Sequence, residues 1–260
     1  MKFDDLDQRM RVFETAHDLC VLPGLYVVAR LDGRSFTRLT KEVHEFEAPF
    51  DPRFRDLMVE TAEHLMSGCG FNVVYGYAES DEISLVFGLE ENSFGRKLRK
   101  LISILAGEGS AKFSLLLGAL ASFDCRISQL PSVELVVDYF RWRSEDAHRN
   151  ALNAHCYWLL RKQGKGVGDS TAALKGMSVA DKNELLFRHG INFNDLPMWQ
   201  RRGVGLYWED YDRAAANPVT GEMVSARRRR IRRDLELPMK DDYSAFLRKL
   251  ISEGGREQVD

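Results

Sequence analysis

The chain alternates short β-branched runs with longer stretches in which apolar residues recur every three or four positions. Residues 24–33, GLYVVARLDG, form a compact apolar run closed by Asp-Gly, the pattern of a buried strand that stops at a turn. In DPRFRDLMVETAEHLMSGCG, Asp51 precedes Pro52, and Phe54, Leu57, Met58, Ala62, Leu65 and Met66 follow at helical spacing before Gly68. A capping carboxylate, a proline at the first helical position and a closing glycine predict an amphipathic helix. FNVVYGY and EISLVFGL read as two strands joined across Ala78, Glu79, Ser80 and Asp81, a hairpin with an acidic tip. From Phe94 to about Leu120 the chain is basic first and apolar later, which predicts a long helix with an exposed basic start, and FDCRIS predicts a fourth strand.

The resulting order, β-α-β-β-α-β, is that of an α+β, ferredoxin-like (split βαβ) sheet, an architecture that hosts many unrelated functions. After Pro131 the pattern is mostly helical. Val133, Val136, Tyr139, Phe140 and Arg143 share one spacing, and a second helix is expected over residues 150–161. A glycine-rich stretch, KQGKGVGDS, follows, then GVGLYWE and EMVSARRRRIRR as a strand pair joined by a turn at NPVTGE. Residues 1–131 thus read as the core, and residues 132–260 as a helical and β-hairpin part packed on it.

The strand ends carry the chemistry. In a split βαβ sheet the first and third strands are central and antiparallel, so Asp32 at the end of one and Asp81 at the hairpin tip reach the same edge. Two carboxylates at one mouth repel unless a cation lies between them or one is protonated, and such hard oxygen donors suit Mg²⁺. Mg²⁺ completes its shell with phosphates, which points to phosphoryl or nucleotidyl transfer, with two ions about 3.5–4 Å apart as the fuller form. Gly33 lets backbone approach a triphosphate and offers a carbonyl, and Arg34 would face the phosphates. The plain alternative is a common Asp-Gly turn beside a solvated acidic hairpin.

Composition narrows the setting. The 260 residues are 44% hydrophobic, enough for a packed core, and 37 basic against 39 acidic side chains leave a formal charge of -2. Attraction to a nucleic acid must therefore come from local clusters. Cys20, Cys69, Cys125 and Cys156 form no CxxC pair, which argues against a zinc ribbon and fits a reducing cytoplasm. The charged N-terminus lacks a signal-peptide core, and no apolar run nears the roughly 20 residues of a membrane span. A cytoplasmic protein with no membrane partner is expected.

RLDGRSF, YAESDEISLVF, FRWRSEDAHRNALNAHCYWLL, ADKNELLF and INFNDLPMWQRRGVGLYW, in that order from about Val27 to Trp208, resemble the tRNA(His) guanylyltransferase family, including its bacterial and archaeal like-proteins. The resemblance implies a palm domain similar to that of polymerases. It implies nucleotide addition to RNA 5′ ends in the 3′-to-5′ direction, with ATP activating a 5′-monophosphate and the 3′-hydroxyl of GTP or another NTP attacking it. Carried over, Asp32, the Gly33 carbonyl and Asp81 hold two Mg²⁺ ions. Asp32, Gly33, Arg34, Ser35, Phe36, Thr37 and Ser80 contact nucleotide, with Asp51 nearby, and a homotetramer acting on tRNA is implied. The family's Gly-Arg-Gly-Phe-His is here Gly33-Arg34-Ser35-Phe36-Thr37, and its Lys-Pro is Ala48-Pro49, removing a cation. Its HINNLYN is HRNALNA, retaining His148, Asn150 and Asn153, which by resemblance contact nucleotide or RNA. These departures lean towards a like-protein that repairs 5′-truncated tRNAs on a template.

Two basic clusters remain. In FGRKLRK, Arg96, Arg99 and Lys100 share a helical face, either a solvated helix end or, as the resemblance favours, a contact to triphosphate or RNA backbone. In ARRRRIRR a strand would show Arg227 and Arg229 on one face and Arg228, Arg230 and Arg232 on the other, for phosphate or for acidic neighbours. No HExxH or other metal-like histidine pair appears, and His64 reads as a packed or surface residue. Two further readings stand beside the leading one. A nucleotide cyclase also carries an acidic hairpin tip, there Gly-Gly-Asp/Glu-Glu-Phe and here Ala78-Glu79-Ser80-Asp81-Glu82; an RNA-binding module would use the arginine strand without catalysis.

Overall fold

A computed structural model describes residues 2–216 and 223–254. In chain order these form α1 (Phe3–Thr15), β1 (Tyr26–Gly33), α2 (Phe36–Arg38), α3 (Pro52–Ser67), β2 (Val73–Glu79), β3 (Glu82–Phe87), α4 (Leu98–Leu117), β4 (Phe123–Leu130), α5 (Val133–Lys162), α6 (Val167–Leu174), α7 (Val179–Phe187), α8 (Met198–Arg202), β5 (Val204–Ala216), β6 (Met223–Asp234) and α9 (Lys240–Gly254). The six strands make one antiparallel sheet in the order β4-β1-β3-β2-β5-β6. Its first four strands, with α3 and α4 as the crossovers, are the expected split βαβ. The sheet then continues through β5, which pairs with β2, so the C-terminal part shares the main-chain ladder of the core. The expected turn at NPVTGE lies outside the described residues.

Alternation along the strands sorts side chains into two cores. Ala29, Leu31, Ile83, Leu85 and Phe87 pack against Leu65, Leu105 and Phe113 of α3 and α4. On the other face Val28, Tyr75, Tyr77 and Val86 pack against Phe140 of α5 and Leu247 of α9, and the Tyr75 and Tyr243 hydroxyls meet at 2.9 Å. A third cluster joins the second half of α5 to Leu174, Leu186 and Phe193.

Three differences from the sequence reading have physical reasons. The helices expected before and after residue 150 are one 30-residue helix, α5. No Pro or Gly interrupts it, and its middle carries Arg143 and Asp146, which pair with each other. The basic helix expected from Phe94 begins at Leu98 instead, because Ser93–Arg96 is a 3-10 turn with left-handed Phe94, Gly95 and Arg96. The N-terminal segment forms α1, which has no buried residue.

The start of α3 is fixed as predicted. Asp51, 4% exposed, caps the helix by accepting the Arg53 N–H at 2.8 Å, also accepts the Glu47 N–H at 2.8 Å, and ion-pairs with Arg53 at 2.6 Å. These bonds, Arg53 foremost, hold its carboxyl down at about 2. Because the folded value lies below the unfolded value of about 3.9, its stabilisation is complete above that value and is lost as pH falls towards 2. Asp51→Ala is expected to lower the unfolding free energy by about 1–2 kcal/mol at neutral pH. In urea titrations the gap to the parent protein should close between about pH 4 and 2.

Candidate active site

β1 ends at Asp32 and Gly33, and the β2–β3 hairpin turns through Ser80 and Asp81 with Ser80 at φ +50°. The Gly33 N–H donates to the Asp81 carbonyl at 3.0 Å, and Asp32 lies opposite Glu82 on β3 and Asp124 on β4. The structure therefore brings Asp32, Gly33 and Asp81 to one end of adjacent central strands. Gly33 is also required by packing, since a Cβ there would lie 2.4 Å from the Phe36 ring. That ring, 1% exposed, packs on Phe54, Phe113 and Phe123 and locks the turn. Phe36 thus packs under the turn and also lines the pocket, while Arg34, Ser35 and Thr37 are exposed around it. Asp51 lines the same pocket, but its oxygens are taken by Glu47 and Arg53.

The mouth is crowded with negative charge. Burial raises the Asp81 carboxyl above its ordinary value, and the Asp32 charge adds to the rise against hydrogen bonds that include the Ser80 hydroxyl at 3.1 Å. Burial and then Glu82 push Glu79 up to about 8, with Arg143 opposing. Burial also raises Glu82, which Arg143 and Arg30 hold down. Arg143, 5% exposed, pairs with Glu82 at 2.5 Å and with Asp146 at 3.4 Å. Arg126 on β4 reaches Asp32 at 3.7 Å. The hairpin tip is therefore one acidic cluster: Asp32 and Glu79 both lie opposite Glu82, whose carboxylate meets the buried Arg143, while Asp81 sits in the turn and lines the pocket with Glu79. Two partly buried carboxylates next to a main-chain carbonyl are a hard-oxygen donor set, and their mutual repulsion is relieved by a divalent cation; these residues fit Mg²⁺.

Beside this edge lies a cavity of about 230 Å³ lined by Thr37, Lys41, the Phe46–Asp51 loop, Arg55, Ser80, Asp81, Asn150, Trp158 and Trp199. Lys41 sits 5.1 Å from the Trp158 ring centroid and Arg55 sits 4.6 Å from that of Trp199. The Asn150, Ala151, Ala154 and Trp158 stripe of α5 continues, one turn earlier, into Asp146 and Arg143, and Asn150 donates to Asp146 at 3.3 Å. Asn153 is exposed off that stripe, and His148 packs on Phe193 at 5.2 Å, its basicity lowered by burial and Arg202. Neither is among the residues that line the cavity.

The basic start of α4 is placed differently from expectation. Arg96 is buried and donates to the carbonyls of Leu25 at 2.6 Å, Glu91 at 3.0 Å and Leu89 at 3.2 Å, which makes it a structural pin. Arg99 and Lys97 pair with Asp18, and Lys100 lies 5.8 Å from the Phe94 ring. The end of α4 near Phe123 adjoins Gly33, and its 20 residues place the other end about 30 Å away. Arg96 and Lys100 thus do not meet the mouth of their own chain. The β6 arginines alternate as expected, and acidic neighbours already hold several: Arg227 pairs with Asp210, Arg230 and Arg232 with Glu209, and Arg233 with Glu63. Lys41, Arg55, Arg126, Trp158 and Trp199 were not picked out from the sequence, where single cations and aromatics carry no spacing.

A family model described as "tRNAHis guanylyltransferase" matches residues 7–131, and one described as "Thg1 C terminal domain" matches residues 134–242. The chain is 34% identical over 221 residues to the probable tRNA(His) guanylyltransferase of Mus musculus, covering 81% of this chain and 73% of that protein. It is 33% identical over 231 residues to tRNA(His) guanylyltransferase 1 of Arabidopsis thaliana, covering 82% of this chain and 39% of that longer protein. Among solved structures it resembles a bacterial tRNA(His) guanylyltransferase (Thg1)-like protein in complex with GTP, with a TM-score of 0.74, 26% identity, and coverage of 95% of this chain and 99% of that one. The corresponding complex with ATP gives a TM-score of 0.73 at 26% identity, with the same coverage of 95% and 99%. With both family models matched in sequence order and the palm-like fold shared, the chain belongs to the tRNA(His) guanylyltransferase family.

Proposed function

We propose that this protein is a Mg²⁺-dependent nucleotidyltransferase that adds nucleotides to the 5′ end of tRNA in the 3′-to-5′ direction, repairing truncated ends on a template. The observation that carries this reading is the meeting of Asp32, Gly33 and Asp81 at one sheet edge, beside a cavity with two aromatic-held cations. Asp32, the Gly33 carbonyl and Asp81 would hold the metal. Bound Mg²⁺ supplies neutralisation of phosphate charge and activation of the attacking hydroxyl.

The chain's own residues do the rest. The cavity takes the triphosphate nucleotide, ATP for activation of a 5′-monophosphate and GTP or another NTP for addition. Lys41 and Arg55, steadied on Trp158 and Trp199, meet phosphate oxygens and replace the cation that the family's Lys-Pro supplies where this chain has Ala48-Pro49. Arg34, Ser35, Thr37 and Ser80 border the phosphates, and Asn150 borders the nucleotide from α5. Arg126 orients Asp32, and Arg143 keeps Glu82 in place behind the hairpin. The β6 arginines offer an outlying track for the RNA backbone. The resemblance implies a homotetramer, the cysteine pattern points to a reducing cytoplasm, and among the described residues no helix is long and apolar enough to cross a membrane.

Three outcomes are expected. Asp81→Ala should lower nucleotide addition by at least about 10²–10³-fold, with an unchanged circular dichroism spectrum; full activity in that variant would end this reading. Lys41→Ala should raise KM for the nucleotide about tenfold with a smaller change in kcat, as loss of one charge-assisted phosphate contact requires. With Mg²⁺, ATP and all four NTPs, a labelled 5′-monophosphorylated tRNA lacking its first nucleotide should gain the template-matched nucleotide. Addition confined to tRNA(His), whatever lies opposite, would instead mark a dedicated guanylyltransferase.

A further inference from the structure

Away from this mouth, the last turn of α3, the loop that follows it and the middle of α4 bring together three metal-binding side chains. One donor atom from each of His64, Cys69 and Glu108 lies within 4.8 Å of the others. His64 Nε2 and Glu108 Oε2 are 2.9 Å apart, and Cys69 Sγ is 3.9 Å from the His64 carbonyl oxygen. Gly68 makes room for the imidazole, since a Cβ there would lie 2.9 Å from the ring. Gly109 lets the helices close, because a Cβ there would lie 2.8 Å from Leu31 and 3.6 Å from Leu65. The cluster is therefore held by core packing.

We propose that His64, Cys69 and Glu108 form a binding site for a Zn²⁺-class cation, with solvent in the fourth position. A nitrogen, a sulfur and a carboxylate oxygen form a borderline-soft set that suits Zn²⁺ and disfavours Mg²⁺. Bonds of about 2.0–2.3 Å in a tetrahedron place ligand atoms about 3.4–3.8 Å apart, so shifts of about 1 Å complete the site. Burial and the Glu108 charge push the Cys69 thiol up to about 11, the repulsion that a cation between thiolate and carboxylate relieves. On binding, the thiol proton passes to solvent, the hydrogen that His64 Nε2 donates to Glu108 is exchanged through solvent for one on Nδ1, and the freed Nε2 and carboxylate turn to the metal. Glu108, with its side chain 48% exposed, leaves the outer side open to water. His64 follows Asp51 by 13 positions along α3, about 20 Å of helix, so the site is separate from the nucleotide pocket.

The test is Co²⁺ and Zn²⁺ titration of the metal-stripped full chain in saturating Mg²⁺, which occupies the aspartate mouth. One equivalent of Co²⁺ should bind with a thiolate-to-cobalt charge-transfer band and visible bands of tetrahedral intensity. Cys69→Ser and His64→Ala should abolish the charge-transfer band or weaken Zn²⁺ affinity by at least about 100-fold, while Cys20→Ser keeps both. Glu108→Gln, at an exposed position, should keep the band and weaken Zn²⁺ about tenfold or more. Absence of the band in the parent protein, its persistence in Cys69→Ser, or unchanged Zn²⁺ affinity in Glu108→Gln overturns the proposal.

Discussion

The site rests on a conflict that only charge compensation resolves: the hairpin tip gathers Glu79, Asp81 and Glu82 where Asp32 already stands, in partly buried surroundings. A buried carboxylate without a counter-charge is costly, and removing one partner of a buried pair commonly costs about 3–5 kcal/mol. The protein meets the conflict from two sides. On the α5 face of the sheet, Arg143 pairs with Glu82, and Glu79 is pushed towards its neutral form. At the open end of the strands, Arg126 lies 3.7 Å from Asp32 and 3.5 Å from Asp124, so it is shared between two carboxylates. In the proposed function, the charge that remains there is what a divalent ion and its phosphates would meet.

This arrangement explains why α5 is long and unbroken. Its first half packs Val136, Val137 and Phe140 on the sheet, its middle supplies Arg143 and Asp146 to the acidic cluster, and its next turns present Asn150, Ala154 and Trp158 to the cavity. A kink at any of these points would separate the counter-charge from the pocket wall. The Gly33–Phe36 turn has the same economy, for the glycine that frees the backbone at the mouth also seats the ring that anchors the turn.

The four core strands, both crossover helices and the convergence of Asp32 with Asp81 were legible because period-two and period-3.6 patterning report which face is buried, and topology then aligns the strand ends. Arg96 was misplaced because periodicity gives a helix face without saying which end of the helix meets the site, and because a left-handed backbone at a non-glycine residue leaves no sequence signal. His148 and Asn153 were carried over by resemblance, and neither lines the cavity. The His64, Cys69 and Glu108 cluster had no motif to show, since its members come from separate elements.

The arginine strand shows how a basic run can mislead in a chain of nearly balanced charge. β6 lies antiparallel to β5, whose Glu209 and Asp210 fall opposite Arg230 and Arg229, so the acids that temper the run are some twenty residues away in sequence and adjacent in space. Pairing of Arg230 and Arg232 with one carboxylate, and stacking of Arg229 on Trp208 at 4.8 Å, orders these side chains before any partner arrives. Preordered guanidinium groups lose less entropy on meeting a phosphate than free ones, while their paired carboxylates lower the net field. Such a surface favours fitted contacts over indiscriminate attraction to polyanions, which suits an enzyme that must release one RNA end and take up another.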